Sequence, residues 1–256
     1  MSQTVRFDAL GQSGYLMSYQ SEQILFDPYI SNSLEKSAGL KPMFTQTVDQ
    51  ENLKKSNYIF ISHAHDDHFD KPFIIDLLHS NPDIKIIAPL VVINSLHGLL
   101  NSPNLIIADP DTSLHFQTFS VQVIDSAHPQ HSYTSSKPDF VGYIFDFSGL
   151  KIYHAGDTGI TDKLINALLK QQIHTAFIPV NEQNYFKNKE GIIGNMTVRE
   201  ALRLAELLEV KNLVPTHWDM FKNNSVHKEE IVLIYNNYHY EYQLLFYPKF
   251  IEKSFL

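Results

Sequence analysis

Between Ser62 and His68 the chain reads Ser-His-Ala-His-Asp-Asp-His, so that His63-x-His65-x-Asp67-His68 follows directly on the apolar run Tyr58-Ile59-Phe60-Ile61. A short apolar run of this kind reads as a buried strand. The polar cluster after it belongs at the strand end, in a loop that a rigid scaffold can hold open to a ligand. Histidine accounts for only 13 of 256 residues, so three of them within six positions form a dense cluster. Neutral imidazole and carboxylate are the ligands of zinc, and they also serve manganese and iron. The pattern points to a metal centre. Asp66, adjacent to Asp67, reads as a solvated carboxylate rather than a ligand.

The rest of the composition narrows the class. A chain of 256 residues with 43% hydrophobic and 12% aromatic content can bury a sizeable core, and a single domain over 1–256 is the simpler expectation. There is no cysteine, which excludes disulfides and thiolate ligands, so any metal must be held by His, Asp or Glu. The net charge of −8 argues against nucleic acid as a partner but leaves a small anionic substrate open. The N-terminus lacks a basic stretch followed by an apolar core, and no apolar run reaches membrane-spanning length. The expectation is a cytoplasmic protein without a membrane partner; a homo-oligomer stays open.

Along the chain, Gly11-Gln-Ser-Gly14 reads as a hairpin turn and 23–27 as a buried strand. Residues 28–52 form a polar loop, read as a surface excursion in preference to a lid. A short helix follows over 70–79, with Asp70 as N-cap and Pro72 in its first turn. Then come a strand over 84–88, a helix near 90–100 and a strand near 105–108, the alternation of a layered α/β fold. Beyond it, 120–125 alternates as a strand, and Ser148-Gly149 reads as the turn of a hairpin between 140–147 and 150–153. A helix over 162–170, a strand over 175–180 and the clearest helix, 197–209, follow. Thr197 and Glu200 have capping-box spacing in that last helix, and Ala201, Leu204, Ala205 and Leu208 share one face. The strand 211–217 comes next, and the aromatic tail over 230–250 reads as a packing helix and a closing strand.

Four of these strands end in ligand-type residues: the His63 cluster, His128, Asp157 and His217. Strand ends on one edge of a sandwich can meet in space, and five His with two Asp suffice for two adjacent metals sharing one carboxylate. His131 competes with His128 for its place, and Asp157 could instead serve as a turn former.

The metal motif, His128, Gly156-Asp157-Thr158 and His217 together resemble the metallo-β-lactamase superfamily. Leu10-Gly-Gln-Ser-Gly-Tyr15, Tyr153-His-Ala-Gly-Asp-Thr158, Ile193-Gly-Asn-Met196 and Pro215-Thr-His-Trp-Asp219 are similar to its L-ascorbate-6-phosphate lactonase branch. The resemblance implies a four-layer αβ/βα sandwich with metals at one edge of two facing sheets. It implies two divalent ions, Zn or Mn, one on His63, His65 and His128 and one on Asp67, His68 and His217, with Asp157 bridging. Metal-bound water would be the nucleophile, and Asp67 the catalytic residue that orients it or takes its proton.

Asn181 and Asn195 follow a strand end or precede the best helix, and with His154 they are candidates for binding substrate. The leading expectation is a metal-dependent hydrolase of a small-molecule ester, such as a sugar-acid or ascorbate-phosphate-like lactone. A phosphodiesterase on the same centre and a non-catalytic metal-binding module are the alternatives.

Overall fold

The computed structural model describes residues 3–45, 48–97, 104–110 and 112–253. A seven-stranded sheet is built by β1 (Gln3–Gly11), β2 (Gly14–Tyr19), β3 (Glu22–Phe26), β4 (Tyr58–Phe60), β5 (Lys85–Ala88) and β6 (Leu105–Ile107), closed by β16 (Phe250–Lys253) in the order β16-β1-β2-β3-β4-β5-β6. The second sheet is also seven-stranded. It contains β7 (Ser113–His115), β8 (Ser120–Asp125), β11 (Val141–Phe147), β12 (Leu150–His154), β13 (Thr175–Pro179), β14 (Asn212–Thr216) and β15 (Gln243–Leu244). A small hairpin of β9 (Tyr133–Thr134) and β10 (Lys137–Pro138) stands apart from both. Each large sheet has an antiparallel half and a parallel half: β3, β4, β5 and β6 run parallel in the first, and β12, β13, β14 and β15 in the second.

Strand alternation decides which side chain goes to which layer. In β4, Tyr58 and Phe60 point between the sheets, whereas Ile59 points outward. The inner layer is aromatic: Phe7, Phe26 and Phe60 of the first sheet meet Tyr143, Phe145 and Phe177 of the second. Phe60 and Phe145 lie 4.9 Å apart between centroids, and Phe7 and Phe177 5.3 Å. Burying each such ring is worth about 1.5–3 kcal/mol. The outer face of the first sheet is covered by α3 (Lys71–Ser80) and α4 (Leu90–Leu96) through Ile74, Leu77, Val92 and Leu96. The outer face of the second carries α5 (Asp162–Leu168), α7 (Val198–Leu207) and α8 (Lys228–Tyr238). The result is the αβ/βα sandwich expected from the resemblance.

Local signals explain most boundaries. Asp70 caps α3 by accepting the Phe73 N–H at 3.2 Å, and its other oxygen accepts the Ile30 N–H at 2.7 Å, tying the helix to the loop after β3. Thr197 and Glu200 form the reciprocal capping box of α7. Ser148 and Gly149 both have positive φ, 54° and 92°, which a tight hairpin turn requires.

Two expectations change. The stretch 28–52 is not featureless: it carries α1 (Ser33–Ala38) and α2 (Gln50–Leu53). The helix expected near 90–100 is described as far as Leu96, and 98–100 lie outside the described residues. Among the described residues no helix is long and apolar enough to cross a membrane.

Candidate metal centre

The four strand ends meet. His63 follows β4 of the first sheet, while His128, Asp157 and His217 follow β8, β12 and β14 of the second. One ligand-type atom from each of His63, His65 and Asp157 lies within 4.8 Å of the others, and the same holds for Asp67, His68 and His217. Asp157 stands between these groups: Oδ1 is 3.2 Å from His68 Nε2, and Oδ2 is 3.5 Å from His217 Nε2 and 3.8 Å from His63 Nε2.

Hydrogen bonds set the tautomers of two histidines. Asp27, fully buried at the end of β3, accepts the Ser62 N–H at 2.7 Å and the Ser62 hydroxyl at 2.6 Å. With its hydrogen committed to Asp27, Ser62 Oγ accepts from His63 Nδ1 at 2.8 Å. His68 Nδ1 donates to Asp27 Oδ2 at 2.7 Å. Both rings therefore carry a proton on Nδ1 and turn Nε2 toward the centre, the arrangement that orients metal-binding imidazoles.

Several buried polar atoms around the centre have no hydrogen-bond partner. His63 Nε2, His68 Nε2, His128 Nε2, Asp157 Oδ1 and His217 Nδ1 are buried without a hydrogen bond. An orphaned buried polar atom costs about 1–3 kcal/mol, and a cluster of them in one place calls for a cation. The donor set fits a divalent borderline metal. The buried charges compensate one another. Burial disfavours the charges on Asp157, but His217 and His68 hold its carboxyl well below the usual range. Burial likewise opposes a proton on His68, yet Asp157, Asp67 and Asp27 outweigh it and raise this imidazole. Burial, reinforced by nearby His68, lowers His63.

Backbone geometry supports the arrangement. Gly156 has φ of 59°, and a Cβ there would stand 2.5 Å from Ser62 Cβ, so only glycine lets the Asp157 turn press against the His63 loop. Thr158 Oγ1 accepts the Ala127 N–H at 2.9 Å and ties the same turn to the strand end that leads to His128. His217 itself adopts φ of 60°.

His128 sits beside the first group, outside the 4.8 Å sets. Its ring centroid is 5.5 Å from that of His65, and burial pushes its imidazole down to about 4. Its Nδ1 accepts the Gln130 N–H at 3.1 Å, which leaves the ring hydrogen on Nε2. Ligation through Nε2 requires the Gln130 contact to give way. His131 is committed elsewhere: Nε2 faces Asp125 Oδ1 at 2.5 Å, and Nδ1 faces its neighbour Ser132 O at 2.8 Å.

The three residues expected to contact substrate are buried and are not among the residues lining the cavity. His154 is a core residue: it stacks on Phe26 at 3.5 Å, its Nε2 donates to Ser13 O at 2.8 Å, and its Nδ1 accepts the Gly156 N–H at 3.3 Å. Burial pushes it down to about 3, so it is neutral and closed to substrate. Asn181 donates to Asn224 Oδ1 at 3.1 Å and accepts from Asn195 Nδ2 at 2.9 Å. Both amides are buried behind the wall and brace Asn224, which does line the cavity.

Other participants carry weaker sequence signals. Gln12, in the turn after β1, donates from Nε2 to Asp67 Oδ2 at 2.6 Å, lies 3.0 Å from His217 Nε2, and accepts the His217 N–H on its carbonyl at 3.0 Å. Phe140 backs the histidines, 4.4 Å from His128 and 4.8 Å from His63 between centroids. A cavity of about 560 Å³ opens above His65, Asp67, Asp157 and His217. Leu34, Leu40 and Lys41 line it, so the stretch 28–52 is part of the site and not a mere surface excursion.

A family model described as "Beta-lactamase superfamily domain" matches residues 22–218. A "UPF0173 metal-dependent hydrolase" of Caldivirga maquilingensis is 26% identical over 215 residues, covering 83% of this chain and 81% of that protein. Another, from Pyrococcus furiosus, is 26% identical over 227 residues, covering 88% and 90%. Among solved structures, Igni18, described as a novel metallo hydrolase from Ignicoccus hospitalis, superposes with a TM-score of 0.73 at 19% identity, over 99% of this chain and 100% of that one. The isothiocyanate hydrolase from Delia radicum gut bacteria gives 0.74 at 16% identity, over 100% and 99%. These two likenesses bear on the fold alone.

Proposed function

The chain belongs to the beta-lactamase superfamily and is a metal-dependent hydrolase, and from that premise we propose that it cleaves a small-molecule ester, a lactone, at a centre for two divalent ions, Zn or Mn. The observation that carries this reading is the pair of ligand groups, His63–His65–Asp157 and Asp67–His68–His217, on the floor of one cavity with Asp157 reaching both. His128 completes the first group once its Nε2 lone pair is released. When bound, such ions supply Lewis acidity toward a carbonyl oxygen and a hydroxide at neutral pH.

The protein's own groups do the rest. Asp67 takes the proton of the attacking water, and Gln12 holds that carboxylate through its Oδ2. Asp27 keeps the His63 and His68 rings from rotating, so their Nε2 atoms stay aimed at the centre. Water adds to the carbonyl carbon, the ring C–O bond breaks, and the departing alkoxide takes the proton that Asp67 accepted, giving a hydroxy acid.

The test is turnover of a panel of lactones and phosphodiesters by purified protein, before and after chelation. The expected result is lactone hydrolysis that chelator abolishes and Zn or Mn restores. Chelator-insensitive hydrolysis would remove the metal from the account, and action on generic phosphodiesters alone would make it a phosphodiesterase. Asp157→Ala and His65→Ala should each lower kcat/KM by at least about a hundredfold. If neither changes any turnover, the chain is a metal-binding module. A single domain over 1–256, cytoplasmic and without a nucleic-acid partner, belongs to the same proposal.

A further inference from the structure

We propose that the end of the sandwich opposite the metal centre holds a second ligand site, in which Glu22 and Ser56 bind the ammonium group of a small polar amine. The site is independent of the hydrolase reading.

Strands β3, β4 and β5 run parallel, so their starts share one end of the first sheet and their ends share the other. The His63 cluster follows the end of β4, whereas Glu22 opens β3, Ser56 precedes β4 and Lys85 opens β5. Together with Asn57, Tyr58 and Asp83, these three residues line a cavity of about 280 Å³. Strand alternation turns Glu22 to the face of Ile24 and Phe26, which point between the sheets. Its charge reaches Tyr58 there: burial first, and then Glu22, raise the tyrosine hydroxyl above its ordinary range.

Carboxylates are almost never buried without a partner. Among the described residues this chain keeps that rule at every buried carboxylate except one. Asp27, Asp70, Asp139 and Asp219 each accept a hydrogen bond, and Asp157 faces the histidines of the metal centre. The buried Lys187 donates to Glu182 O at 3.2 Å. Glu22 is 6% exposed and joins no hydrogen bond or ion pair among the described residues. Ser56, in the same cavity wall, is wholly buried, and its Oγ has no hydrogen-bond partner. Two unanswered groups in one cavity call for a ligand.

The groups present select its class. A carboxylate and a hydroxyl oxygen without donors need a ligand that donates, and Glu22 and Asp83 repel anions. No third Asp, Glu or His converges on them: among the described residues, the groupings able to hold a metal ion are the two already assigned. A primary ammonium supplies a positive charge and three N–H donors. The amides of Asn57 and Asn81 suit a polar body behind it. The one cation of the lining, Lys85, is exposed and holds its Nζ 6.0 Å over the Tyr58 ring, not on Glu22. Arg6 and Lys55 line a neighbouring opening that Glu22 also borders, and neither forms an ion pair with it.

The experiment titrates the full chain, metal-loaded and after chelation, with aminobutanol, butanediol and hydroxybutyl-trimethylammonium under calorimetry. The amine should bind equally in both metal states, because the site lies at the other end of the sheet. It should bind about tenfold or more tightly than the uncharged diol or the quaternary cation, which has no N–H to donate. Glu22→Gln keeps the shape and removes the charge, so amine binding should fall by about tenfold or more. The same variant should melt no lower than the parent, since it relieves an unpaired buried carboxylate. Ser56→Ala should weaken binding by about two- to fivefold, and Lys85→Gln should bind at least as tightly as the parent. Equal amine binding by Glu22→Gln and the parent would overturn the proposal. So would binding that disappears on chelation, a lack of preference over the diol, weaker binding by Lys85→Gln, or a cavity that takes up water only.

Discussion

Gln12 and Asp27 show how much of this site is decided by residues that need not touch a metal. Asp27 selects the tautomer of His63 and His68, and Gln12 holds Asp67 and His217 from the opposite side. Partners of this kind are commonly worth about 10–100-fold in metal affinity. Gln12→Ala should therefore weaken the ion of the Asp67–His68–His217 group by about that factor while sparing the other, in a calorimetric titration of metal-free protein with Zn. Unchanged affinity for both ions would show that Gln12 merely fills space. His154 makes a different prediction. Its folded imidazole titrates near 3, pushed down by burial, whereas an unfolded histidine titrates near ~6.5. The unfolded chain therefore takes up the proton first, so this contribution is complete above about pH 6.5 and is lost on acidification at about 1.4 kcal/mol per pH unit. Between pH 7 and pH 5, chelator-treated parent should lose about 2 kcal/mol more stability than His154→Gln. Equal losses in denaturant titrations would contradict a neutral, buried His154.

At the scale of elements, the turns after the strands carry the precision. Gly156→Ala places a methyl group against Ser62 at a left-handed backbone position, and a cost of about 2–4 kcal/mol is expected in urea unfolding. Because Ser62 relays His63 to Asp27, metal affinity should fall as well. A loss below about 0.5 kcal/mol would mean that the turn can move away. Thr197→Ala removes the capping box of α7 and should cost about 1 kcal/mol without affecting metal binding. Elements of this kind were legible in the sequence because their signals are local: Thr197 with Glu200, Asp70 before Pro72, Ser148-Gly149 between two apolar runs. The role of 28–52 was not, because Leu34 and Lys41 face the cavity only through contacts with Tyr29 and with Met220, far along the chain. Gln12 carried only the look of a turn residue, and Phe140 that of one more strand aromatic. Nothing near either in sequence reveals that one holds Asp67 and the other backs His128. The burial of His154, Asn181 and Asn195 was not legible for the complementary reason: polarity near a strand end does not say whether a side chain faces the cavity or the layer behind it.

For the whole molecule, the two sheets repeat one plan, antiparallel strands followed by parallel ones, and face each other across an aromatic layer. The plan explains why candidate ligands from distant parts of the chain converge, since β4 delivers the His63 cluster from the first sheet while β8, β12 and β14 deliver the others from the second. Recurrence of His and Asp at strand ends made this convergence readable; the repeated sheet plan was not, because it persists in strand order and direction and not in residues. The central claim is that Asp157 joins two ion sites into one centre. It is tested most directly by titrating metal-free parent, His63→Ala, Asp67→Ala and Asp157→Ala with Zn under calorimetry. The account predicts two binding events in the parent, loss of a different one in His63→Ala and in Asp67→Ala, and weakening of both in Asp157→Ala. A single event in the parent, or an Asp157→Ala variant that weakens only one, would contradict it.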